Sequence, residues 1–534
     1  MKRTAFNRGG LPPDFIDRFG QHVTGFISGF DRLRFRATLR PLFQPGGMEI
    51  YLYSAKVLVK DFANFAQNLT EQVRQAAYRS FEQLKRPIRY LADAKVSKED
   101  LARQLAAQER ITEGPICLLA CLEPCLSFQL RGDRHSKQLH LILEHSRCTH
   151  LYHYYQHPQF GQLHVRVQTW FPFSVDICLN GRQWLARQMD QAGVAYQQRD
   201  NCFVWIQDCS KAQALLDQQL GSNWASLLDN LLELAHPLHR QIIRLMKGLH
   251  YYWSASQSEY ATDILFDQPQ NLARLYPQFI HHAVKSFQSP DVLRFLGNRH
   301  ALQSGKIHPA FKGQVTTSLK ERAEGVRLRH NLSGNSLKIY DKEGSVLRVE
   351  TTIFHPEQFK VYRPKEGDAH GQKQWRKLRR GVADLYRRAE VSFGANQRYL
   401  QALASVTGSS SLLNEAAQLC APVFYHHRRY RGLRPLAQAD YPLLLMVSRG
   451  EFSLAGLRNA DLRSLLFKPT QSKLQFRRES AAVSRKLALL RAHGLLKKVP
   501  HSHRYQLTPR GRRIITALLA ACHADVEQLT KMAA

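Results

Sequence analysis

The stretch that most constrains the fold lies between residues 326 and 353. Apolar residues alternate with polar ones along it, which is the pattern of β-strands. The pattern is interrupted at Ser333-Gly334 and at Lys342-Glu343-Gly344, both of which are turn-forming sequences. The stretch therefore predicts three consecutive antiparallel strands, and any fold proposed for the chain must contain an antiparallel sheet.

The rest of the chain alternates between helical and strand-like patterns. Phe62, Phe65, Leu69 and Val73 recur at helical spacing after a short predicted strand at 49–59. Further strands are predicted at 125–130, 139–143, 164–179 and 202–206, with a helix at 182–191 after the Asn180-Gly181 turn. Helices are predicted over 210–300 and 370–420, and a short linker-like run lies within the second of these stretches at 408–411.

These patterns predict a multidomain α+β protein. Its N-terminal part is mostly helical, its middle is mixed α/β with antiparallel strands, and its C-terminus is helical with a short strand pair. At roughly 100–200 residues per domain, 534 residues allow several domains. The predicted regions are a helical N-terminal domain at 1–112, an α+β domain at 113–210, a helical region at 211–320, an antiparallel hairpin with basic helices at 321–440, and a C-terminal domain at 441–534.

The C-terminal segment has the most specific pattern. One helix is predicted at 457–467 and a second at 480–496, followed by a strand pair at 497–507 and a helix that begins near Thr508. Val483, Leu487 and Leu490 share one face of the second helix and are expected in the core, and Gly494 is expected to end it.

This succession resembles the winged-helix domain of MarR- and ArsR-type regulators over about residues 440–520. The resemblance implies a C-terminal winged helix-turn-helix in which the helix before the Gly-Leu turn reads DNA and the strand pair is the wing. It implies nucleic-acid contacts by Ser484, Arg485, Lys486 and Arg491 on the helix, and by Lys497, Lys498, His501, His503 and Arg504 on the wing. The alternative is a winged helix that contacts protein.

A second resemblance concerns the rest of the chain. The segments Trp170-Phe-Pro-Phe and Asn180-Gly-Arg-Gln-Trp are similar to segments of an uncharacterised bacterial family. This resemblance implies no activity.

The charge of the chain indicates its partner. It has 76 Lys and Arg against 43 Asp and Glu, a formal net charge of +33, and an isoelectric point near 10.0. Such an excess favours a polyanion, and nucleic acid is the usual one because bound phosphates release condensed counterions. No stretch of 18 apolar residues and no signal-peptide pattern occurs, so we expect a cytoplasmic protein with no membrane partner.

Aromatic residues interleaved with basic ones favour nucleic-acid binding further, because rings stack on unpaired bases. The runs are His150-Leu-Tyr-His-Tyr-Tyr, for which core packing is the alternative, and Val423-Phe-Tyr-His-His-Arg-Arg-Tyr-Arg. A basic helix is also expected, with Arg376, Lys377, Arg379, Arg380, Arg387 and Arg388. The additional residues predicted to contact nucleic acid are Arg376, Lys377, Arg379, Arg380, Arg428, Arg429 and Arg431.

A possible catalytic site lies in the predicted strands at 326–353. Alternation places Lys338, Tyr340 and Lys342 on one face of a strand, opposite Arg348 and Glu350 on the next. The pattern is similar to the Tyr-x-Lys and Leu-Arg-x-Glu sequences of some phage and plasmid replication initiators. That resemblance implies a tyrosine that attacks a phosphodiester beside a metal ion. The chain lacks the His-hydrophobic-His motif of many such enzymes, and a hairpin of cross-strand ion pairs is the alternative.

Further acidic residues could supply a metal site for phosphoryl transfer. Glu259 and Asp263 are expected on one face of a helix at 251–266, and with Asp176 and Glu350 they could bind Mg²⁺ through carboxylate oxygens. The sequence identifies no certain cofactor; Mg²⁺ is expected only if the protein is an enzyme. For Cys117, Cys121, Cys125 and Cys148, the apolar surroundings favour buried core cysteines over a zinc site.

Together these patterns predict a nucleic-acid-binding protein of a mobile or replicating element. The winged helix would recognise a site in duplex DNA, and the central basic regions would hold further DNA or RNA. The alternatives are a metal-dependent nuclease, transposase or replication initiator that uses Glu259, Asp263, Tyr340 and Glu350, and a transcriptional regulator.

Overall fold

Two long antiparallel strands, Val23–Thr38 and Tyr252–Phe266, pair at the centre of the larger part of the protein. In the computed structural model, residue contacts divide the chain into two compact units, Met1–Val406 and Thr407–Ala534. The structure describes residues 10–523 apart from gaps at 94–95, 134, 136, 299–301, 304–305, 309–310, 312, 323–324, 366–367, 369–370, 406–411, 436, 438–439, 450–451, 453–455 and 501. The predicted linker-like run at 408–411 and His501 thus lie outside the described residues.

The strands of the first unit are dominated by one large sheet. They are β1 Val23–Thr38, β2 Ile88–Leu91, β3 Gly114–Gly132, β4 Leu139–His157, β5 Gly161–Gln168, β6 Val175–Asn180, β7 Tyr196–Arg199, β8 Cys202–Ile206, β9 Tyr252–Phe266, β10 Leu302–Gln303, β11 Lys306–Ile307, β12 Val315–Arg322, β13 Gly325–Leu332, β14 Asn335–Lys342, β15 Val346–Ile353, β16 Lys360–Arg363 and β17 Gln374–Lys377. Eleven of them form a sheet in the order β12-β13-β14-β15-β9-β1-β6-β5-β4-β3-β2. Neighbouring strands are antiparallel except β2 and β3.

Helices of the first unit supply the apolar cover of this sheet. They are α1 Pro13–Phe19, α2 Pro45–Ser54, α3 Phe62–Gln83, α4 Lys98–Gln108, α5 Gly181–Ala192, α6 Cys209–Gln218, α7 Trp224–Ala235, α8 His239–Arg244, α9 Pro269–Ser286, α10 Ser289–Phe295 and α11 Leu385–Leu403. One core cluster joins α2, α3, α5 and α7 to the sheet, and a second joins α1, α9, α10 and α11 to β13–β15. Among the described residues, no helix is both long and apolar enough to cross a bilayer.

The second unit is smaller and mainly helical. It contains α12 Leu412–Cys420, β18 Val423–Tyr425, β19 Arg428–Tyr430, α13 Tyr441–Val447, β20 Leu457–Arg458, α14 Asn459–Leu466, α15 Lys473–Ala492, β21 Leu496–Lys498, β22 Arg504–Leu507 and α16 Pro509–His523. Strands β20, β22 and β21 form a three-stranded sheet. As predicted, Val483, Leu487 and Leu490 are buried, and Gly494 follows the second helix with a positive φ of 69°.

Several predicted elements are confirmed. The three strands expected between residues 326 and 353 are β13, β14 and β15, separated by turns at the predicted positions. The strand at 202–206 is β8, and the helix at 182–191 is α5, which begins one residue earlier. The Asn180 side chain accepts hydrogen bonds from the backbone of Arg182 and Gln183, which starts this helix.

Two local predictions are wrong, each for a physical reason. Residues 49–59 are predicted as a strand, but Pro45 begins α2, and Met48, Tyr51 and Leu52 bury one helical face. Residues 251–266 are predicted as a helix, but they contain β9, which pairs with β1 on one side and β15 on the other. Both faces of its second half are buried, so its sequence does not alternate as an exposed strand does.

The predicted basic helix around residues 376–388 is also not continuous. Arg376 and Lys377 lie on β17, and Arg379 and Arg380 follow it before the next helix begins. The large sheet contains strands from four regions that were predicted as separate domains. Long-range pairing, and not local pattern, determines this part of the fold.

Candidate functional site

The centre of the large sheet contains a buried group of opposite charges. Asp263 on β9 lies directly opposite Arg348 on β15, whose Nε and second terminal nitrogen donate to the two carboxylate oxygens at 2.5 and 2.7 Å. Arg182, at the start of α5, contacts the same carboxylate at 2.9 Å. Burial would raise the pKa of Asp263, but the two guanidinium charges lower it below its ordinary value. This carboxylate is therefore ionised and fully paired.

The predicted convergence of Lys338, Tyr340 and Glu350 is present in the structure. Lys338 is paired with Glu350 across β14 and β15, and its ammonium donates to Glu350 Oε1 at 2.5 Å. The Tyr340 hydroxyl donates to Glu350 Oε2 at 2.7 Å. Burial opposes ionisation of Glu350, but Lys338 and Tyr340 lower its pKa to about 2. Burial, followed by the charge of Glu350, raises the pKa of Tyr340 well above its ordinary value.

Glu259 is the accessible member of this group. It is half-buried on β9, 3.8 Å from the Lys338 ammonium, and burial together with the charge of Glu350 raises its pKa. One oxygen each from Asp31, Glu259 and Glu350 lies within 4.8 Å of the others. We name Asp31, Lys338, Tyr340, Glu259 and Glu350 the carboxylate cluster.

Carboxylate oxygens are the ligands that Mg²⁺ prefers. In the carboxylate cluster, however, the Lys338 ammonium already takes the position of a cation beside Glu350. Asp31 is contacted by Arg348 at 3.3 Å and accepts a hydrogen bond from Asn201. The residues therefore fit a divalent ion only if Lys338 turns away, and as arranged their charges compensate one another.

Asp176 does not join this cluster as the sequence predicted. It lies on β6, where Arg36 contacts one carboxylate oxygen at 2.8 Å and Arg166 the other at 2.7 Å. Burial raises the pKa of Asp176, but the charges of the two arginines lower it below its ordinary value overall. Of the four carboxylates predicted to bind a metal ion, only Glu259 and Glu350 lie in the carboxylate cluster. Asp263 is paired with Arg182 and Arg348, and Asp176 lies elsewhere on the sheet.

A polar cleft that the sequence did not predict surrounds Asp176. It encloses a cavity of about 720 Å³, and we name it the arginine cleft for Arg34, Arg36 and Arg166 along its floor. Tyr152 and Tyr154 line it as well. Among the described residues, Arg34 has no carboxylate partner, whereas Arg166 also contacts Glu123 at 3.0 Å. The cleft therefore combines cations with aromatic rings.

Two sequence signals relate to this cleft. In the aromatic run that begins at His150, Tyr152 and Tyr154 line the cleft but are buried in one core cluster, and Tyr155 is buried in another. The structure therefore agrees with core packing of these rings, and their contact with nucleic acid stays a prediction. On β1, arginines 32, 34 and 36 alternate with buried apolar residues. That alternation could have identified both the strand and its basic face.

The basic residues of the second unit differ in how accessible they are. Arg485 is exposed on α15, and Lys497 and Lys498 are exposed on β21. Ser484 is exposed and accepts a hydrogen bond from Asn459. Lys486 is half-buried near Asp440. These positions leave Arg485 as the most accessible cation among those predicted on the helix.

The remaining predicted cations are partly engaged within the protein. Arg491 contacts the Tyr425 ring, and Arg431 forms a two-point ion pair with Asp440. His503 is exposed and Arg504 half-buried, and Arg428 and Arg429 are exposed on β19.

In the first unit, Arg379 binds Asp384, Arg380 contacts Glu357, and Lys377 is exposed while Arg376 is half-buried on β17. These residues do not present one continuous basic surface on a helix.

Sequence reasoning missed part of the accessible basic face of α15. This helix begins at Lys473, seven residues before the predicted start, with the Ser472 hydroxyl accepting from the backbone of Gln475. The extension adds Arg477 and Arg478, both exposed. A serine three residues before a glutamine is a helix-start signal, and it could have located this end.

The cysteines divide into two groups. Cys117 and Cys121 are buried in an apolar cluster under α4, as predicted for core cysteines. The sulfurs of Cys125 and Cys148, on β3 and β4, lie 3.1 Å apart. The hydrogen bond between the two sulfurs is the main cause that lowers the pKa of Cys125 to about 7, whereas this contact and burial raise the pKa of Cys148. All nine cysteines are free thiols.

Comparison of the chain with protein-family models, with curated proteins and with solved structures finds no match.

Proposed function

We propose that this chain is a nucleic-acid-binding protein of a mobile or replicating element, and that its second unit contains a winged helix that recognises duplex DNA. The observation that carries the proposal is the exposed cationic face of α15, formed by Arg477, Arg478 and Arg485. None of the three forms an ion pair or a side-chain hydrogen bond with another described residue. Unpaired arginines on one helix are suited to phosphates and guanine edges.

The composition of the second unit supports this function. From residue 407 to the end, the sequence contains 21 Lys and Arg against seven Asp and Glu. The acidic side chains in the described part of the unit are largely engaged, as Asp440 is with Arg431 and Glu479 with Arg463. Most of the basic excess is thus available to an external polyanion.

The order of elements supports the same assignment. Helix α14 precedes α15, and β21 and β22 form a hairpin after it that pairs with β20. In a winged helix this arrangement places the second helix in the major groove and the hairpin beside the backbone. We assign α15 as the reader, and Lys497 and Lys498 as phosphate contacts of the wing.

The arginine cleft of the first unit is proposed to hold further nucleic acid. Arg34 is exposed and lacks a carboxylate partner among the described residues. Tyr152 and Tyr154 line the same cavity but are buried, so the cations and not the rings are available to a ligand. Cations suit the phosphate backbone of DNA or RNA.

The test compares two charge reversals in the second unit. We expect Arg485→Glu to weaken duplex binding by roughly 1 kcal/mol or more, and the triple reversal of Arg477, Arg478 and Arg485 to weaken it further. Fluorescence anisotropy with a labelled duplex at near-physiological salt gives the affinities. Circular dichroism checks that each variant is folded.

Arg512→Glu is the matched control, because Arg512 is exposed on α16 and its reversal changes the net charge equally. We expect the control to retain most of the affinity. An equal loss at Arg485 and Arg512 would show that only the net charge matters and that α15 is not the reader.

A second candidate function is metal-dependent phosphodiester cleavage at the carboxylate cluster. The observation that favours it is the approach of Asp31, Glu259 and Glu350 oxygens within 4.8 Å, with Glu259 half-buried. A Mg²⁺ ion would require Lys338 to turn away from Glu350, and it would then supply charge stabilisation to a phosphate there. A plasmid-nicking assay with Mg²⁺ and Mn²⁺ tests this function, and Glu259→Gln should abolish any nicking that the wild-type protein shows.

A further inference from the structure

Three soft donor side chains meet on the hairpin of β3 and β4. The sulfurs of Cys125 and Cys148 are 3.1 Å apart, and His150 follows Cys148 by two residues on the same strand. One ring nitrogen of His150 and the two sulfurs all lie within 4.8 Å of one another. Two thiols and an imidazole are the donors that Zn²⁺ and related cations prefer.

The histidine of this group has an unsatisfied nitrogen. His150 is fully buried, its Nδ1 lies 3.1 Å from the carbonyl oxygen of Cys148, and its Nε2 has no hydrogen-bond partner. A buried nitrogen without a partner costs free energy. A metal ion bound to Nε2 would satisfy it, and metal-bound histidines commonly donate their other ring N–H to a backbone carbonyl.

The register of the strands favours a bridging ion over a disulfide. Cys125 pairs with Ser146 and Cys148 pairs with Glu123, so the two cysteines are diagonal neighbours. Diagonal Cα atoms lie about 7–8 Å apart, at or beyond the span that a disulfide bridges. A tetrahedral zinc ion with Zn–S bonds of about 2.3 Å needs its sulfurs about 3.8 Å apart, which only requires the two thiols to separate slightly.

We propose that Cys125, Cys148 and His150 form a binding site for a thiophilic divalent cation of the Zn²⁺ class. No further Cys, His, Asp or Glu of the described residues belongs to this group. The fourth coordination position is therefore left to water or to an external ligand. This site uses none of the residues of the carboxylate cluster and does not depend on the proposed DNA-binding function.

Cobalt(II) titration of the full-length protein tests the site. The protein is treated with a chelator under reducing conditions, the chelator and reductant are removed anaerobically, and Co²⁺ is added. We expect one equivalent of Co²⁺ to give a thiolate-to-metal charge-transfer band, and Zn²⁺ to abolish it. Cys125→Ser and Cys148→Ser should lose the band, whereas Cys178→Ser and Cys209→Ser, at half-buried thiols elsewhere, should keep it.

A second measurement needs no variant. Zn²⁺ should protect Cys125 and Cys148 of the wild-type protein from alkylation, read by peptide mass spectrometry, at least tenfold more than it protects Cys178. The proposal is overturned if Co²⁺ gives no thiolate band, if the band survives in folded Cys125→Ser and Cys148→Ser, or if Zn²⁺ gives no selective protection. A Cys125–Cys148 disulfide in freshly purified protein that excludes Co²⁺ would also overturn it.

Discussion

The arginines at the centre of the large sheet differ in burial and in pairing from those on α15. Arg182 and Arg348 are fully buried and share the carboxylate of Asp263. Arg477, Arg478 and Arg485 are exposed, and none of them contacts a carboxylate of the described residues. The first set is committed to the fold and the second is available to a partner, so the net charge alone does not locate the binding surface.

Desolvation explains the difference. A guanidinium removed from water must be compensated by an anion and by hydrogen bonds, or the fold loses several kcal/mol, on the order of 3–5 for a broken buried pair. Arg348 meets this requirement with Asp263, Asp31 and the carbonyl oxygen of Asn201. An exposed arginine keeps its water and can exchange it for a phosphate.

The largest expected effect comes from breaking the buried set. Asp263→Ala leaves two buried guanidinium groups without their shared anion, and we expect it to destabilise the first unit by about 3–5 kcal/mol. Urea denaturation followed by tryptophan fluorescence measures the loss. Glu357→Ala removes the exposed partner of Arg380 and should change the free energy of unfolding by about 1 kcal/mol or less. Equal effects at the two sites would contradict the distinction between committed and available charges.

The pH dependence should separate two glutamates of the carboxylate cluster. The pKa of Glu350 is lowered to about 2, so its ionisation stabilises the fold above its ordinary pKa of 4.5 and is lost as the pH falls from there toward 2. The pKa of Glu259 is raised, so its contribution has the opposite sign and is lost as the pH rises through the raised value.

Replacing each glutamate with the neutral glutamine tests this difference in the pH dependence of stability. We expect Glu350→Gln to destabilise the protein at pH 7 by a few kcal/mol, about the cost of disrupting a buried pair. Between pH 4.5 and about 2, the free energy of unfolding of this variant should fall less than that of the wild-type protein. Glu259→Gln should be neutral or stabilising at pH 7 and have less effect near pH 4. Urea denaturation across this pH range gives both profiles. A destabilising effect of Glu259→Gln that persists unchanged with pH would show that its charge is needed by the fold.

The same comparison shows how much of the molecule can be predicted from its sequence. Strands β14 and β15 were predicted because one face of each is polar in sequence and turns separate them from their neighbours. The same pattern predicted that Glu350 lies close to Lys338 and Tyr340. Strand β9 was predicted as a helix because both faces of its second half are buried and its sequence there does not alternate regularly between polar and apolar residues. Local periodicity reveals a strand only where one face of it stays polar.

Contacts between distant segments could not be predicted in this way. Asp263 and Arg348 are 85 residues apart, and nothing in either segment indicates the other. Arg182 was expected only as part of a helix, and its role appears once α5 packs on β1 and the Arg182 side chain reaches Asp263 on β9. The accessible arginines of α15 could be predicted in principle, since exposure on a helix follows from spacing, and Arg477 and Arg478 were missed only because the helix start was misplaced.

The smallest effect expected concerns the proposed wing. Lys497 and Lys498 are exposed on β21, where we assign them to phosphates and not to bases. Replacing each with alanine should weaken binding to all duplex sequences alike and reduce the slope of log affinity against log salt by about one per lysine. Arg512→Ala, which removes an exposed charge outside the proposed wing, should leave the slope nearly unchanged. A variant whose loss depended on the duplex sequence while its salt slope stayed constant would instead place the lysines against base edges.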